Sequence, residues 1–309
     1  MSKCYLCPRK CGADRSISRG YCGAGDKIEV SKIMLHHWEE PPISGYNSDI
    51  YADMTNERGS GAIFFTHCPL GCVYCQNSKI SRTLSCGKAY SPDELAEEML
   101  ALEKRGAYNI NLVSPTQYSR GIAEAVRAAR ERGLTIPTVY NTGGYELPEV
   151  IRQMKDTVDI YLTDFKYASP ELSQKLSRAA DYPTMARDSL SAMFENVGEP
   201  VIGGDGMMKR GIIVRHLVLP SHKDDSIAVL DMAASCVPPK KVLLSLMAQY
   251  TPDFLPAKAG GASEYDYREI RRKITTYEYE KVREHALSLG FDGFMQERNS
   301  ATKRFTPDF

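Results

Sequence analysis

From residue 59 onward the chain alternates short apolar runs with longer segments of helical period. The runs at 62–66, 109–114, 138–141, 159–163, 212–219 and 242–247 are rich in apolar residues, and those at 62–66, 212–219 and 242–247 are apolar almost throughout. Such continuous character suits parallel strands covered on both faces. The segments between them carry helix signals. The clearest start has Ser91 to cap, Pro92 at the first helical position and Glu94 to close a capping box ahead of Leu95 and Met99. Further helices are expected at 121–132, 147–155, after Pro170, at 225–234 and at 277–289.

Six such βα units predict an α/β domain over 59–309 with a parallel sheet, either curled into a partial barrel or left open and doubly wound. Both arrangements put their sites at the carboxyl ends of the strands. Residues 1–58 break the alternation and are poor in apolar residues. They read as a separate cysteine-rich extension and connector, too small to fold without a staple.

Charge and composition narrow the class. Lysine and arginine (39) balance aspartate and glutamate (39), so no broad nucleic-acid or membrane footprint is expected. No apolar run approaches the roughly 18 residues of a membrane span. The start, MSKCYLCPRKCG, lacks an apolar signal core. A cytoplasmic protein is the expectation.

The nine cysteines are clustered: Cys4, Cys7, Cys11 and Cys22 near the amino terminus, and Cys68, Cys72 and Cys75 together, with Cys86 and Cys236 alone. An odd count and tight spacing argue against a disulfide framework, and grouped thiols in a reducing compartment point to metal. The segment THCPLGCVYCQN follows the first strand directly. Structural zinc wants four protein ligands. Three thiolates in one loop suit a cubane cluster, which leaves one iron open. Pro69 and Gly71 help the loop to wrap the cluster, with backbone N–H groups available to the sulfides. Tyr74 is placed to pack beside whatever occupies the open iron.

A CxxxCxxC motif with an aromatic residue before the last cysteine, in the loop after strand one, resembles the radical S-adenosylmethionine superfamily. The resemblance implies a [4Fe–4S] cluster on Cys68, Cys72 and Cys75. S-adenosylmethionine chelates the fourth iron in that superfamily, and its reductive cleavage yields a 5′-deoxyadenosyl radical that abstracts a hydrogen atom. The likeness spans about residues 59–296 and is closest to the glycyl-radical-enzyme activases, such as pyruvate formate-lyase-activating enzyme. It implies a partial (β/α)6 parallel barrel with a small amino-terminal extension.

The likeness also nominates residues at the strand ends. Ser114-Pro115-Thr116-Gln117 stands where the superfamily has a glycine-glycine-glutamate motif, which puts Thr116 and Gln117 at the cofactor; Gln117 keeps a hydrogen-bond acceptor without the carboxylate's charge. Asn141-Thr142-Gly143-Gly144 resembles the activases' Asp-Thr-Asn-Gly, and Asp164-Phe165-Lys166 their Asp-Leu-Lys. In the activases these turns border the cofactor and hold a monovalent cation. Asn141 for aspartate removes one charge. Lys166 is a partner for the S-adenosylmethionine carboxylate, although Asp164 and Lys166 also fit an ordinary strand-end ion pair. In IIVRHLVLPSHKDD, Arg215 and His216 alternate in direction, so only one faces the barrel. Gln249 or Tyr250 stands where an activase has histidine.

Cys4-x2-Cys7-x3-Cys11-x10-Cys22 resembles the front end of an uncharacterised activase-like branch, and zinc, a rubredoxin-like iron and an auxiliary cluster all suit four thiols. His36, His37, Trp38 and Glu39 read as connector packing, with the barrel mouth as the alternative. His67 either finishes the first strand or touches the cluster. The loop 251–265, with Gly260-Gly261, is long enough for a substrate-dependent lid. The resemblance implies a one-electron donor such as flavodoxin or ferredoxin, and as substrate a glycine in a partner glycyl-radical protein. Radical chemistry on a small molecule or peptide, and non-enzymatic iron–sulfur electron transfer or metal binding, stay open.

Overall fold

The computed structural model describes residues 3–45, 58–82, 87–256 and 266–296. Cys86 and the glycine pair of the expected lid lie outside the described residues.

Among the described residues ten strands make up the sheets: β1 (Ile28–His36), β2 (Gly59–Phe65), β3 (Lys88–Tyr90), β4 (Ala107–Val113), β5 (Thr138–Thr142), β6 (Ile160–Asp164), β7 (Val201–Ile202), β8 (Met208–Leu217), β9 (Leu243–Met247) and β10 (Asp292–Met295). The order is β10-β9-β8-β6-β5-β4-β2-β1-β3, with β7 as a short antiparallel appendage of β8. All six expected strands form. A seventh, β10, extends the parallel run from β2 to β10, so the six-strand count is corrected to seven. The amino-terminal segment supplies β1, which runs antiparallel along β2. The result is an α/β fold with a mostly parallel sheet, consistent with a partial barrel.

Helices follow where the sequence signals them. Helix Pro92–Lys104 starts in the expected capping box: Glu94 N–H donates to Ser91 Oγ (3.2 Å) and Ser91 N–H to Glu94 Oε2 (2.8 Å). Ser119–Glu131, Pro148–Gln153, Pro170–Ser177, Lys223–Cys236 and Thr276–Ser288 fall near the expected positions. Tyr182–Val197, the longest helix among the described residues, lies outside them.

Strand alternation divides the sheet's two faces. Ile63, Tyr140, Tyr161, Val214 and Leu246 pack beneath the helices. Val139, Ile160, Leu162 and Ile213 point the other way and gather around Ile43, which is wholly buried. Burying that side chain contributes roughly 1.5–3 kcal/mol, and Asn109 Nδ2 donates to the Ile43 carbonyl at 2.7 Å. The connector therefore plugs the sheet's inner face. Two residues further along three of these strands, the same face carries Asn141, Asp164 and Arg215.

Candidate functional site

The cysteine loop is anchored at both ends. Thr66 N–H donates to Glu29 O and His67 N–H to Ile80 O. His67 is buried in a left-handed conformation (φ 68°), with Nε2 3.1 Å from Glu29 Oε2. It finishes the strand. Gly71 N–H donates to Ser177 O (3.2 Å) and Val73 N–H to Leu176 O (2.9 Å). Those two amides are thus committed to a helix end, which narrows the expectation to the other amides of the loop.

Each cysteine sulfur has a polar neighbour. Leu70 N–H donates to Cys68 Sγ (3.4 Å), Ser177 Oγ–H to Cys72 Sγ (3.0 Å), and Ser81 Oγ lies 3.6 Å from Cys75 Sγ. Burial pushes the Cys68 and Cys75 thiols up, and the neighbouring Cys72 pushes both further. Three thiolates crowded in this way need positive charge among them.

A cavity of about 260 Å³ opens over these cysteines, and Tyr74, Asn141, Thr142, Asp164, Lys166, Arg215 and Gln249 all line it. Thr116 and Gln117 do not share that wall. Thr116 Oγ1 donates to Glu146 Oε1 (2.5 Å), and Gln117 Nε2 donates to the carbonyls of Thr66 (2.8 Å), His67 (3.1 Å) and Ser114 (2.9 Å). Gln117 ties the turn before the cysteine loop together. His216 also turns away from the cavity; its Nδ1 donates to Phe165 O at 2.7 Å, and burial pushes its pKa down to about 4.

Arg215 is the electrostatic hub. Its Nε donates to Asp164 Oδ1 (2.9 Å), Nη1 to Glu39 Oε2 (3.2 Å) and Nη2 to Asn141 Oδ1 (2.6 Å). Lys166 Nζ pairs with the other Asp164 oxygen. Burial works against the charge on Asp164, yet Lys166 and Arg215 together hold its carboxyl below the usual range. Thr142 Oγ1 donates to Glu146 Oε1 at 2.5 Å. The Asp164 and Thr142 groups that would hold a monovalent cation thus already have protein partners.

Sequence reasoning undervalued the connector. His36, Trp38 and Glu39 stand in the cavity wall. Glu39 Oε1 accepts from Asn111 Nδ2 (3.0 Å) and Asn141 Nδ2 (3.1 Å). Burial, helped by His37, pushes the His36 pKa down to about 4, so it faces the cavity neutral. Ser177 and Tyr167 were missed too. Tyr74 OH lies 2.5 Å from Tyr167 OH, which lies 2.8 Å from Ser177 Oγ.

The amino-terminal cysteines occupy two tight turns. Lys10 N–H donates to Cys7 O (3.0 Å) and Gly23 N–H to Gly20 O (2.9 Å). A glycine with positive φ follows Cys11 (Gly12, 65°) and Cys22 (Gly23, 93°). A Cβ on Gly20 would stand 3.5 Å from both Cys11 Sγ and Cys22 Sγ, so those sulfurs flank one point. Burial pushes the Cys7 thiol up to about 12. Among the described residues, no three histidine, cysteine or acidic side chains are drawn in around a single ion; a cubane, by contrast, takes each of its thiolates on a different iron. This thiol unit packs against the central loop, with Arg9 Nε donating to Pro69 O at 2.9 Å.

Residues 62–196 match the family model of the radical SAM superfamily. The chain is 27% identical over 299 residues to an uncharacterized protein of Methanocaldococcus jannaschii, covering 94% of this chain and 75% of that one. Solved structures similar to it include methylornithine synthase (TM-score 0.43, 14% identity, 71% of this chain). The FeFe-hydrogenase maturase of Carboxydothermus hydrogenoformans is another (TM-score 0.43, 13% identity, 74% of this chain). The chain spans 60% and 55% of the lengths of these two. The radical SAM superfamily implies a [4Fe–4S] cluster and S-adenosylmethionine, and the donor set fits them: Cys68, Cys72 and Cys75 line one cavity together with Asn141, Thr142, Asp164, Lys166 and Arg215. Among the described residues no helix is long and apolar enough to cross a membrane.

Proposed function

We propose that the protein is a radical SAM enzyme whose cluster rests on Cys68, Cys72 and Cys75. When bound, the cluster and S-adenosylmethionine supply a 5′-deoxyadenosyl radical that removes a hydrogen atom from the substrate. The chain's own groups bind and orient. Lys166 offers its ammonium to the S-adenosylmethionine carboxylate, while Asp164, itself fixed by Arg215, holds that ammonium at the cavity wall. Asn141, Thr142 and Gln249 line the cofactor's path, and Tyr74 packs beside the open iron. Trp38 and Phe254 add apolar wall that keeps water from a radical. One observation carries this reading: the three cysteines and the Asp164–Lys166–Arg215 group share one cavity.

Anaerobic reconstitution followed by dithionite and S-adenosylmethionine tests it. Release of 5′-deoxyadenosine is expected; an intact cluster without that product would favour an electron-transfer or metal-binding role.

For the substrate, the activase-like features at Asn141–Gly144 and Asp164–Lys166 support a glycine on a partner protein, with flavodoxin or ferredoxin as reductant. The insertion of Glu39 into the cavity wall favours a small molecule or peptide instead. A glycyl-radical resonance on adding a candidate partner would separate the two. Cys4, Cys7, Cys11 and Cys22 supply the ligands of a second metal site, zinc or iron, in this proposal, the four thiols drawing together as the metal binds. Metal analysis of a Cys7→Ser/Cys22→Ser variant should show loss of that metal with the central iron retained.

A further inference from the structure

Helix Pro170–Ser177 ends against the cysteine loop, and its last residue, Ser177, donates its hydroxyl to Cys72 Sγ at 3.0 Å. Ser177 Oγ also lies 2.8 Å from Tyr167 OH, which lies 2.5 Å from Tyr74 OH. Ser177 and Tyr167 are wholly buried and Tyr74 is 8% exposed, so water has little access to these groups.

The direction of each bond follows from proton counting. A thiolate sulfur bound to iron can only accept. The single hydroxyl proton of Ser177 is then committed to sulfur, so Tyr167 must donate to Ser177. The phenol proton of Tyr167 is committed in turn, so Tyr74 must donate to Tyr167. One arrangement remains, with three O–H dipoles in a row aimed at Cys72. The other two sulfurs have weaker company, a backbone N–H at 3.4 Å and a hydroxyl at 3.6 Å.

We infer that the Tyr74–Tyr167–Ser177 chain is a tuning device that raises the reduction potential of the cluster through Cys72. The inference rests on the reading that Cys68, Cys72 and Cys75 hold a [4Fe–4S] cluster. One electron entering the cluster puts negative charge on its sulfurs, and donors aimed at a sulfur stabilise the reduced form more than the oxidised one. In a dry interior each bond polarises the next, so the outer phenol acts through Tyr167 and Ser177. Ser177 and Tyr167 are positioning residues here. The loop-pinning function of Ser177 uses its backbone carbonyl, which a side-chain change leaves in place.

The test is a dye-mediated redox titration of the reconstituted full-length protein, following the electron resonance of the reduced cluster. Ser177→Ala should lower the ratio of reduced to oxidised cluster at fixed poise roughly tenfold, about the loss of part of one hydrogen bond to a charged group. For a one-electron couple that is about 59 mV. Tyr167→Phe leaves the serine donor and should move the ratio in the same direction by roughly two- to threefold. Ser177→Thr, which keeps a hydroxyl, should stay close to the parent. Parent-like ratios in both Ser177→Ala and Tyr167→Phe, at equal iron per chain, would overturn the inference while the cluster reading stands. If Ser177→Ala takes up no iron, Tyr167→Phe decides alone. A parent protein that assembles no cluster overturns both.

Discussion

Asn141 Nδ2 donates to Glu39 Oε1 at 3.1 Å, joining residues 102 positions apart in the chain. The other end of the same amide, Oδ1, accepts from Arg215 Nη2 at 2.6 Å. An amide can serve a carboxylate and a guanidinium at once; an aspartate cannot. Asparagine therefore suits position 141, where the connector has already delivered a carboxylate.

Asn141→Asp should therefore set two carboxylates against each other. We expect a loss of roughly 1–3 kcal/mol at pH 8, since Arg215 offsets part of the repulsion. Adding Glu39→Gln restores one donor between the two residues and should recover at least half of the loss. Urea denaturation of the two variants is the check. An Asn141→Asp protein as stable as its parent, with nothing gained from the second change, would refute the pairing.

How far this site could be read in advance depends on the range of the interaction. The cysteine triplet, the capping box at Ser91 and the six apolar strands are local patterns, and they were legible. So was the rule that only one of Arg215 and His216 faces the cavity, because strand alternation is also local. Glu39 was misjudged because its partners Asn111, Asn141 and Arg215 come from three distant strands. Gln117 sits at the expected place in the chain, but its side chain serves three carbonyls that only the fold brings together. Strand β10 has four residues, two of them exposed, and a glycine at φ 141°, too little pattern to register.

Arg215 compensates two partly buried carboxylates, Asp164 and Glu39. Arg215→Ala leaves both without a guanidinium and should cost roughly 3–5 kcal/mol, the usual result of breaking a buried pair from one side. Denaturant midpoints on the metal-free protein read this directly, and a loss below about 1 kcal/mol would contradict the hub assignment.

Glu146 gives the fold a pH dependence. It is wholly buried, and burial raises its pKa from 4.5 to about 7 against the hydroxyls of Thr116 and Thr142. A carboxyl raised in the folded state contributes fully below its unfolded pKa and loses that contribution as pH climbs through the folded one. Between pH 4.5 and 7 the fold therefore loses roughly 3 kcal/mol. Glu146→Gln keeps an acceptor for both threonines and cannot ionise. It should be more stable than the parent at pH 8 by roughly 1–3 kcal/mol and show no such gain at pH 5. Equal differences at the two pH values would count against a buried, titrating Glu146.

Gly144 (φ 79°) lets β5 turn beneath the Asp164–Lys166 strand end, where an added Cβ would stand 2.1 Å from the Asp164 carbonyl. Gly144→Ala should cost several kcal/mol, on the order of 3 or more, from the clash and the left-handed backbone together. Thermal unfolding checks it; a variant within about 1 kcal/mol of the parent would mean that the turn is looser than described.

The central claim is a cluster with one iron left free by the protein. Adding S-adenosylmethionine to the reduced, reconstituted protein and recording its electron resonance tests this most directly. The account expects the [4Fe–4S]+ signal to change shape when S-adenosylmethionine is added, and to be absent when Cys68, Cys72 or Cys75 is replaced by alanine. A cluster signal indifferent to S-adenosylmethionine, or one that survives all three replacements, would contradict it.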